Sequence, residues 1–224
     1  MALSDRLSPS NQGEPTRERL LKSAERLFAR RGYALTSVRA ITREAACNIA
    51  AVNYHFNGKH NLYREMFRQR TAALREQRIS RIRLAMDEAG KMASLETVLE
   101  AFANAFVEPL ADESRGRTVM ELMTRELLDP QLPPGFFLSE MILPVQEALA
   151  EAIRTVEPGI PQRAVRMCIQ SFVGQLIHVL RMRTMAQRSE QPSEVAFPLP
   201  ESVQHIVCFT AAGIRAYTNK RGSS

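Results

Sequence analysis

Tryptophan is absent from the 224 residues, and aromatic residues make up only 6% of them. An interior with so few large rings is filled by aliphatic side chains and by ten methionines, whose unbranched thioethers adapt to irregular gaps. No run of about 18 apolar residues occurs, so no membrane-spanning helix is indicated. The first 15 residues (MALSDRLSPSNQGEP) are polar and rich in turn formers. They lack the apolar stretch of a signal peptide and read as a loose tail. Three cysteines, Cys47, Cys168 and Cys208, lie far apart among apolar neighbours, without CxxC spacing. That pattern argues against a disulfide framework and a zinc site, and predicts buried free thiols in a reducing cytoplasm. The sequence has no GxSxG, no HExxH, no phosphate-cradling glycine loop and no close set of carboxylates or Cys/His ligands. These gaps speak against an enzyme; no catalytic residue, metal ligand or cofactor is expected.

What is present is positive charge, unevenly placed. Residues 16–88 hold 16 Lys/Arg against 7 Asp/Glu, whereas residues 89–224 hold 13 against 15. A basic front half joined to a near-neutral back half suggests that only the front meets a polyanion.

Apolar residues recur at helical spacing along most of the chain, and no stretch shows clear strand alternation. Thr16 is a plausible N-cap for a first helix carrying Leu20, Leu21, Ala24, Leu27 and Phe28, stopped by Gly32. Thr36-Ser37 opens a short second helix with Val38, Ile41 and Ala45 on one face. Asn48 caps a third, whose Val52 and Phe56 face a core while Ile49, Ala50, Asn53 and Tyr54 project the other way. Asn57-Gly58 breaks the chain again. A long helix over 59–88 follows, spanning roughly 45 Å, with arginines at 64, 68, 70, 75, 78, 81 and 83 crowding its outer faces. Beyond Gly90 come helices over 94–107, 117–128, 136–156, 162–187 and 201–217. Pro109 separates the first two of these, and Pro144 should kink or split the third.

Residues 16–62 resemble the TetR family of bacterial transcriptional regulators. The matching text is TRERLLKSAERLFARRGY, the Thr36-Ser37 cap, and EAACNIAAVNYHFNGKHNL. In the last piece Tyr54, His55, Phe56, Lys59 and Leu62 fall on the family's aromatic-x-Phe, x-x-Lys-x-x-Leu pattern. Ala46 stands where Gly is common, Cys47 where Val or Ile is usual, and Asn53 where many members carry Tyr. The resemblance implies an all-α protein: an N-terminal three-helix helix-turn-helix DNA-binding domain (16–62) joined by a long helix to a larger helical ligand-binding and dimerisation domain (63–224).

The chemistry of the individual residues fits a face for double-stranded operator DNA. Thr36 and Ser37 offer hydroxyls beside a positive helix end. Tyr54 and His55 can donate to phosphate, and Lys59 is a point charge at the start of the long helix; the resemblance places contacts at the same positions. Packing is the alternative for Tyr54, and a solvated helix cap for His55. Asn53 can pair with adenine and Arg39 can reach guanine, unless Arg39 is merely solvated or on phosphate. Asn48 opens the reading helix, and Ile49, Ala50 and Ala51 permit close approach. With few polar readers, DNA shape should share in specificity.

The helices over 162–187 and 201–217 are too apolar to need only one neighbour, and Gly174, Ala211, Ala212 and Gly213 allow close backbone approach. They are expected to form a homodimer surface as well as core; a purely intramolecular core is the alternative. The resemblance also implies a pocket for an apolar small-molecule effector, with Phe102, Phe106, Met120, Met123, Leu127, Phe136, Phe137, Met141, Phe172 and His178 as candidate lining. The residues alone show a core there, with His178 read as a satisfied buried histidine. The expected function is a cytoplasmic, dimeric repressor released from its operator by that effector. A ligand-independent DNA-binding protein or an activator is the alternative.

Overall fold

The computed structural model describes residues 15–111, 115–186 and 197–219, and no strand occurs among them. The fold is all-α: α1 (Thr16–Arg31), α2 (Val38–Glu44), α3 (Ala50–Phe56), α4 (Lys59–Ala89), α5 (Leu95–Ala111), α6 (Arg115–Leu128), α7 (Leu143–Val156), α8 (Gln162–Ala186) and α9 (Leu199–Asn219). A 3₁₀ turn covers Gly90–Met92 and a π-helical turn Leu138–Ile142. The N-terminal tail falls outside the described residues, apart from Pro15. The chain divides into two compact units: Met1–Arg70 with Arg117–Pro134, and Thr71–Gly116 with Gly135–Ser224.

The first unit is built on short helices with firm stops. Thr16 is the first helical residue of α1 rather than its cap; the carbonyl of Pro15 accepts from the Glu18 and Arg19 amides instead. At the far end Gly32 has φ +78°, a conformation that only glycine adopts cheaply, and its N–H closes onto the Phe28 carbonyl at 2.8 Å. Ser37 caps α2, its hydroxyl accepting from the Ala40 amide at 3.1 Å. The turn between α2 and α3 places Ala46 at φ +48°. Leu20, Ala24, Phe28, Ile41, Val52, Leu62 and Phe67 are fully buried and form the interior with Tyr63, which meets the Phe28 ring edge-on at 4.9 Å. The C-terminal end of α6 is part of the same unit. There Arg125 donates from Nε to the Ala29 carbonyl (2.8 Å) and from Nη2 to that of Arg30 (3.0 Å). Glu126 is 5% exposed; it accepts from the Tyr63 hydroxyl at 2.7 Å and from the Gln131 and Leu132 amides at 2.9 and 2.7 Å. These bonds satisfy the last carbonyls of α1 and fix the turn after α6.

In the second unit α5, α7, α8 and α9 pack on one another around Leu99, Phe102, Leu149, Ile153, Val165, Phe172, Val207 and Ile214. A bidentate pair from Arg215 to Glu96, both bonds 2.7 Å, ties α9 to α5 at the surface. Three expectations are corrected here. Helix α5 does not stop before Pro109 but carries it to Ala111, because a proline so near the end disrupts only the last turn. Cys208 is exposed on α9, Cys47 is partly exposed in the turn between α2 and α3, and Cys168 is partly exposed at the edge of the core; none is fully buried. Arg78 is not on an outer face: it is 6% exposed, in line with buried Leu74 and Ile82 one turn either side. Pro144 behaves as expected. The π-helical turn ends at Ile142, and the proline sits in the first turn of α7, where its missing N–H is not needed.

Candidate nucleic-acid interface

Helix α3 is held by one face and presents the other. Val52 is fully buried and Phe56 is 7% exposed, with the Arg17 guanidinium 5.4 Å over the Phe56 ring. On the opposite side Ala50 and Asn53 are exposed, Ile49 is 51% exposed and Tyr54 is 86% exposed. A tyrosine so open has no packing role in this unit. The Asn48 side chain accepts from the Ala50 amide at 2.8 Å, opening the helix one residue later than a simple cap at Asn48 would. Ala51 and His55 are partly exposed, and the His55 ring stands edge-on to Tyr54 at 4.9 Å. Asn57 takes the left-handed conformation that ends the helix.

The flanking groups divide. Ser37 and Arg39 are exposed at the start of α2. Lys59, first residue of α4, holds its ammonium 4.0 Å over the Tyr33 ring, and burial lowers its pKa from the ordinary lysine value. Thr36 does not fit the expected phosphate contact. It is fully buried and its hydroxyl is committed within the unit, 2.7 Å from the Gly32 carbonyl and 3.2 Å from that of Leu27. Its work is to fasten the α1–α2 connection. Ion pairs brace the same platform: Arg26 with Glu44 at 2.8 Å, Arg70 with Glu25, and Arg17 with Glu65 at 2.5 Å. Hydrogen bonds from Arg68 and Arg17 hold the Glu65 carboxyl below the usual carboxylate range.

The candidate pocket residues scatter. Phe102, Phe106 and Phe172 form a buried run in the second unit, with ring centroids 5.7 Å apart from Phe106 to Phe102 and from Phe102 to Phe172. Met141 belongs to the same unit, while Phe136 and Phe137 are only partly buried just before the π-helical turn. Met123 belongs to the first unit, and the side chains of Met120 and Leu127 lie outside the described set. His178 is exposed, because its position on α8 turns away from the buried line of Val165, Ile169, Phe172 and Leu176.

Residues 20–66 match the family model for bacterial regulatory proteins of the tetR family. Residues 95–214, more than half of the chain, match the C-terminal domain of the HTH-type transcriptional dual regulator CecR. The chain belongs to the TetR family.

Among relatives of this TetR-family chain, YttP of Bacillus subtilis (strain 168), named as an HTH-type transcriptional regulator, is 40% identical over 47 residues. That match spans 21% of this chain and 23% of the relative, so it covers less than a quarter of either protein. Solved structures share the whole fold. A protein of Pseudomonas aeruginosa PAO1 superposes with a TM-score of 0.67 at 19% identity, over 95% of this chain and 96% of its own. The fatty acid degradation regulator FadR of Bacillus halodurans gives 0.62 at 19% identity, over 90% and 97%. A protein of Saccharomonospora viridis in complex with choline gives 0.61 at 18% identity, over 86% and 94%. The chain is therefore a DNA-binding transcriptional regulator, in a family of regulators rather than enzymes. No described helix is long and apolar enough to cross a membrane.

Two groups that matter to this TetR-family regulator escape a reading of the sequence. Arg125 looks like any arginine near the end of an amphipathic helix, and only the fold brings it 96 positions back along the chain to Ala29. Arg78 carries a usable signal, since it lies four residues from both Leu74 and Ile82, yet six other arginines on the same helix hide it.

Proposed function

We propose that the chain is a dimeric repressor whose α3 reads operator DNA in the major groove and which an apolar effector releases. The observation that supports it most is the α3 face: Ile49, Ala50, Asn53 and Tyr54 stand free while Val52 and Phe56 lock the helix beneath them. Asn53 and Arg39 are the base readers, joined by Asn48, Ile49, Ala50 and Ala51 at the groove. Ser37, Tyr54, His55 and Lys59 position the helix on phosphate.

Dimerisation is supported by two uncovered stripes. On α8, Met167, Ile177 and Met185 are 49%, 39% and 65% exposed; on α9, Phe209 and Tyr217 are 63% and 40% exposed beside Cys208 and Ala212. Paired across a two-fold axis, these helices would set two copies of α3 about one DNA turn or a multiple apart on a palindrome. The effector acts through differential affinity for two conformations; the buried run of Phe102, Phe106 and Phe172 supports an apolar body for it. The C-terminal domain also resembles one named for a dual regulator, which favours a second reading with activation at some promoters.

The test is a gel shift with DNA flanking the protein's own gene, using the purified full-length protein. A retarded band, lost against cold competitor, is expected. Asn53→Ala should weaken specific binding by about 1–3 kcal/mol. Equal retardation of mutant and wild type would remove Asn53 from the reading set. A promoter-reporter assay in the same cells separates repression from activation.

A further inference from the structure

Helix α4 offers an internal comparison of three arginines one turn apart. Arg75 donates to the Glu140 carbonyl and has the Glu140 carboxylate 3.8 Å away. Arg81 has the Glu108 carboxylate at 3.6 Å. Arg78, between them, is buried at 6% exposure and makes no ion pair among the described residues. Among the described residues its Nη1 reaches the Met141 thioether alone, at 3.7 Å, and its Nε is buried with no partner. The Phe106 ring lies 4.3 Å beneath the guanidinium. A ring face and a sulfur are weak answers to a planar cation with five N–H donors, and the missing acceptor is a costly one in a low-dielectric interior. Burial lowers the Arg78 pKa to about 10, which still leaves it charged at neutral pH.

The group covering Arg78 is the one best suited to give way. Met141 is unbranched and sits in the π-helical turn Leu138–Ile142, a form that recurs at functional sites because its backbone is less tightly wound. Exposed Leu138, Ile142 and Leu143 flank it, so the turn carries little packing on its outer side. Beyond the guanidinium, Phe106 leads to Phe102 and Phe172. A cationic point and an apolar run thus meet under a movable side chain.

We propose that Arg78 anchors an effector site in the second unit for a small organic acid with an apolar body, its carboxylate displacing the Met141 thioether and its body lying along Phe106 and Phe102. This rests on the effector reading above and narrows it. The acid completes the planar, bidentate pairing that the fold withholds. A cation such as the choline held by the Saccharomonospora viridis protein is repelled here.

Isothermal titration of the full-length protein with decanoate, decanol and choline tests it. The wild type should bind decanoate at least tenfold tighter than decanol, and choline not at all. Arg78→Met should unfold at or above the wild-type temperature and lose the preference for the acid. Arg78→Lys, which keeps the charge without the fork, should retain a reduced preference. Decanol binding as tightly as decanoate to the wild type would overturn the acid site while leaving an apolar effector standing. An acid preference that survives in Arg78→Met would overturn the assignment to Arg78. Binding of none of the three, with operator binding intact, would overturn both the acid site and the apolar effector.

Discussion

Polar groups are treated differently inside the two units. In the first, Glu126 has three donors on its two oxygens, Arg125 has two carbonyls, and the Thr36 hydroxyl has two more. In the second, Arg78 is nearly buried against a thioether and a ring, with its Nε left without a partner. The first arrangement fixes a shape; the second leaves a charge without a counterpart. The proposed presentation of α3 to DNA requires the former. A unit with the proposed small-molecule site gains from the latter, since a ligand that supplies the acceptor stabilises the form that binds it.

The contrast makes opposite predictions for removing a buried charge. Glu126→Leu strands the Tyr63 hydroxyl and two backbone amides, and should cost about 3 kcal/mol in urea unfolding. Arg78→Met replaces a poorly answered cation by a shorter, flexible apolar chain, and should instead stabilise by about 1–2 kcal/mol. Loss of stability in Arg78→Met would show that the two units handle charge alike. Ala46→Gly relieves the one strained turn between α2 and α3, where φ is +48°. It should raise the unfolding free energy by about 0.5–1 kcal/mol, the left-handed cost for a side chain less the entropy of glycine.

The surface pair gives the smallest effect. Arg215 hydrogen-bonds Glu96 and holds its carboxyl below the usual range. Because the folded pKa is depressed, the contribution is present above the ordinary glutamate value and fades as pH falls through the lower, folded one. Both partners are more than a third exposed, so Glu96→Gln should cost only about 0.2–1 kcal/mol at neutral pH, and nothing in acid below the folded value. Thermal midpoints measured along a pH series check this.

Much of the helical framework is legible in the sequence because local rules set it. Gly32, Asn57-Gly58 and Gly90 stop helices where backbone freedom is needed, and Val52 with Phe56 declare which side of α3 is buried. The readings that failed depend on partners distant in sequence. Thr36 has the chemistry of a phosphate donor, but the carbonyls of Leu27 and Gly32 use it first. His178 stands on an apolar helix, yet its rotational position faces outward. Arg78 was one arginine among seven until packing singled it out. That residues 117–134 join the first unit follows from pairings such as Tyr63 with Glu126, 63 positions apart, which no local pattern announces.

That last feature bears on how the protein is made. The segment carrying the helix-turn-helix is complete by Phe56. The last carbonyls of α1 and the Tyr63 hydroxyl nevertheless wait for Arg125 and Glu126. During synthesis this first unit therefore stays unfinished until the ribosome has released all of α5 and α6 through Glu126. A nascent chain completes the polar contacts of its first unit only after the Thr71–Gly116 part of the second has been made.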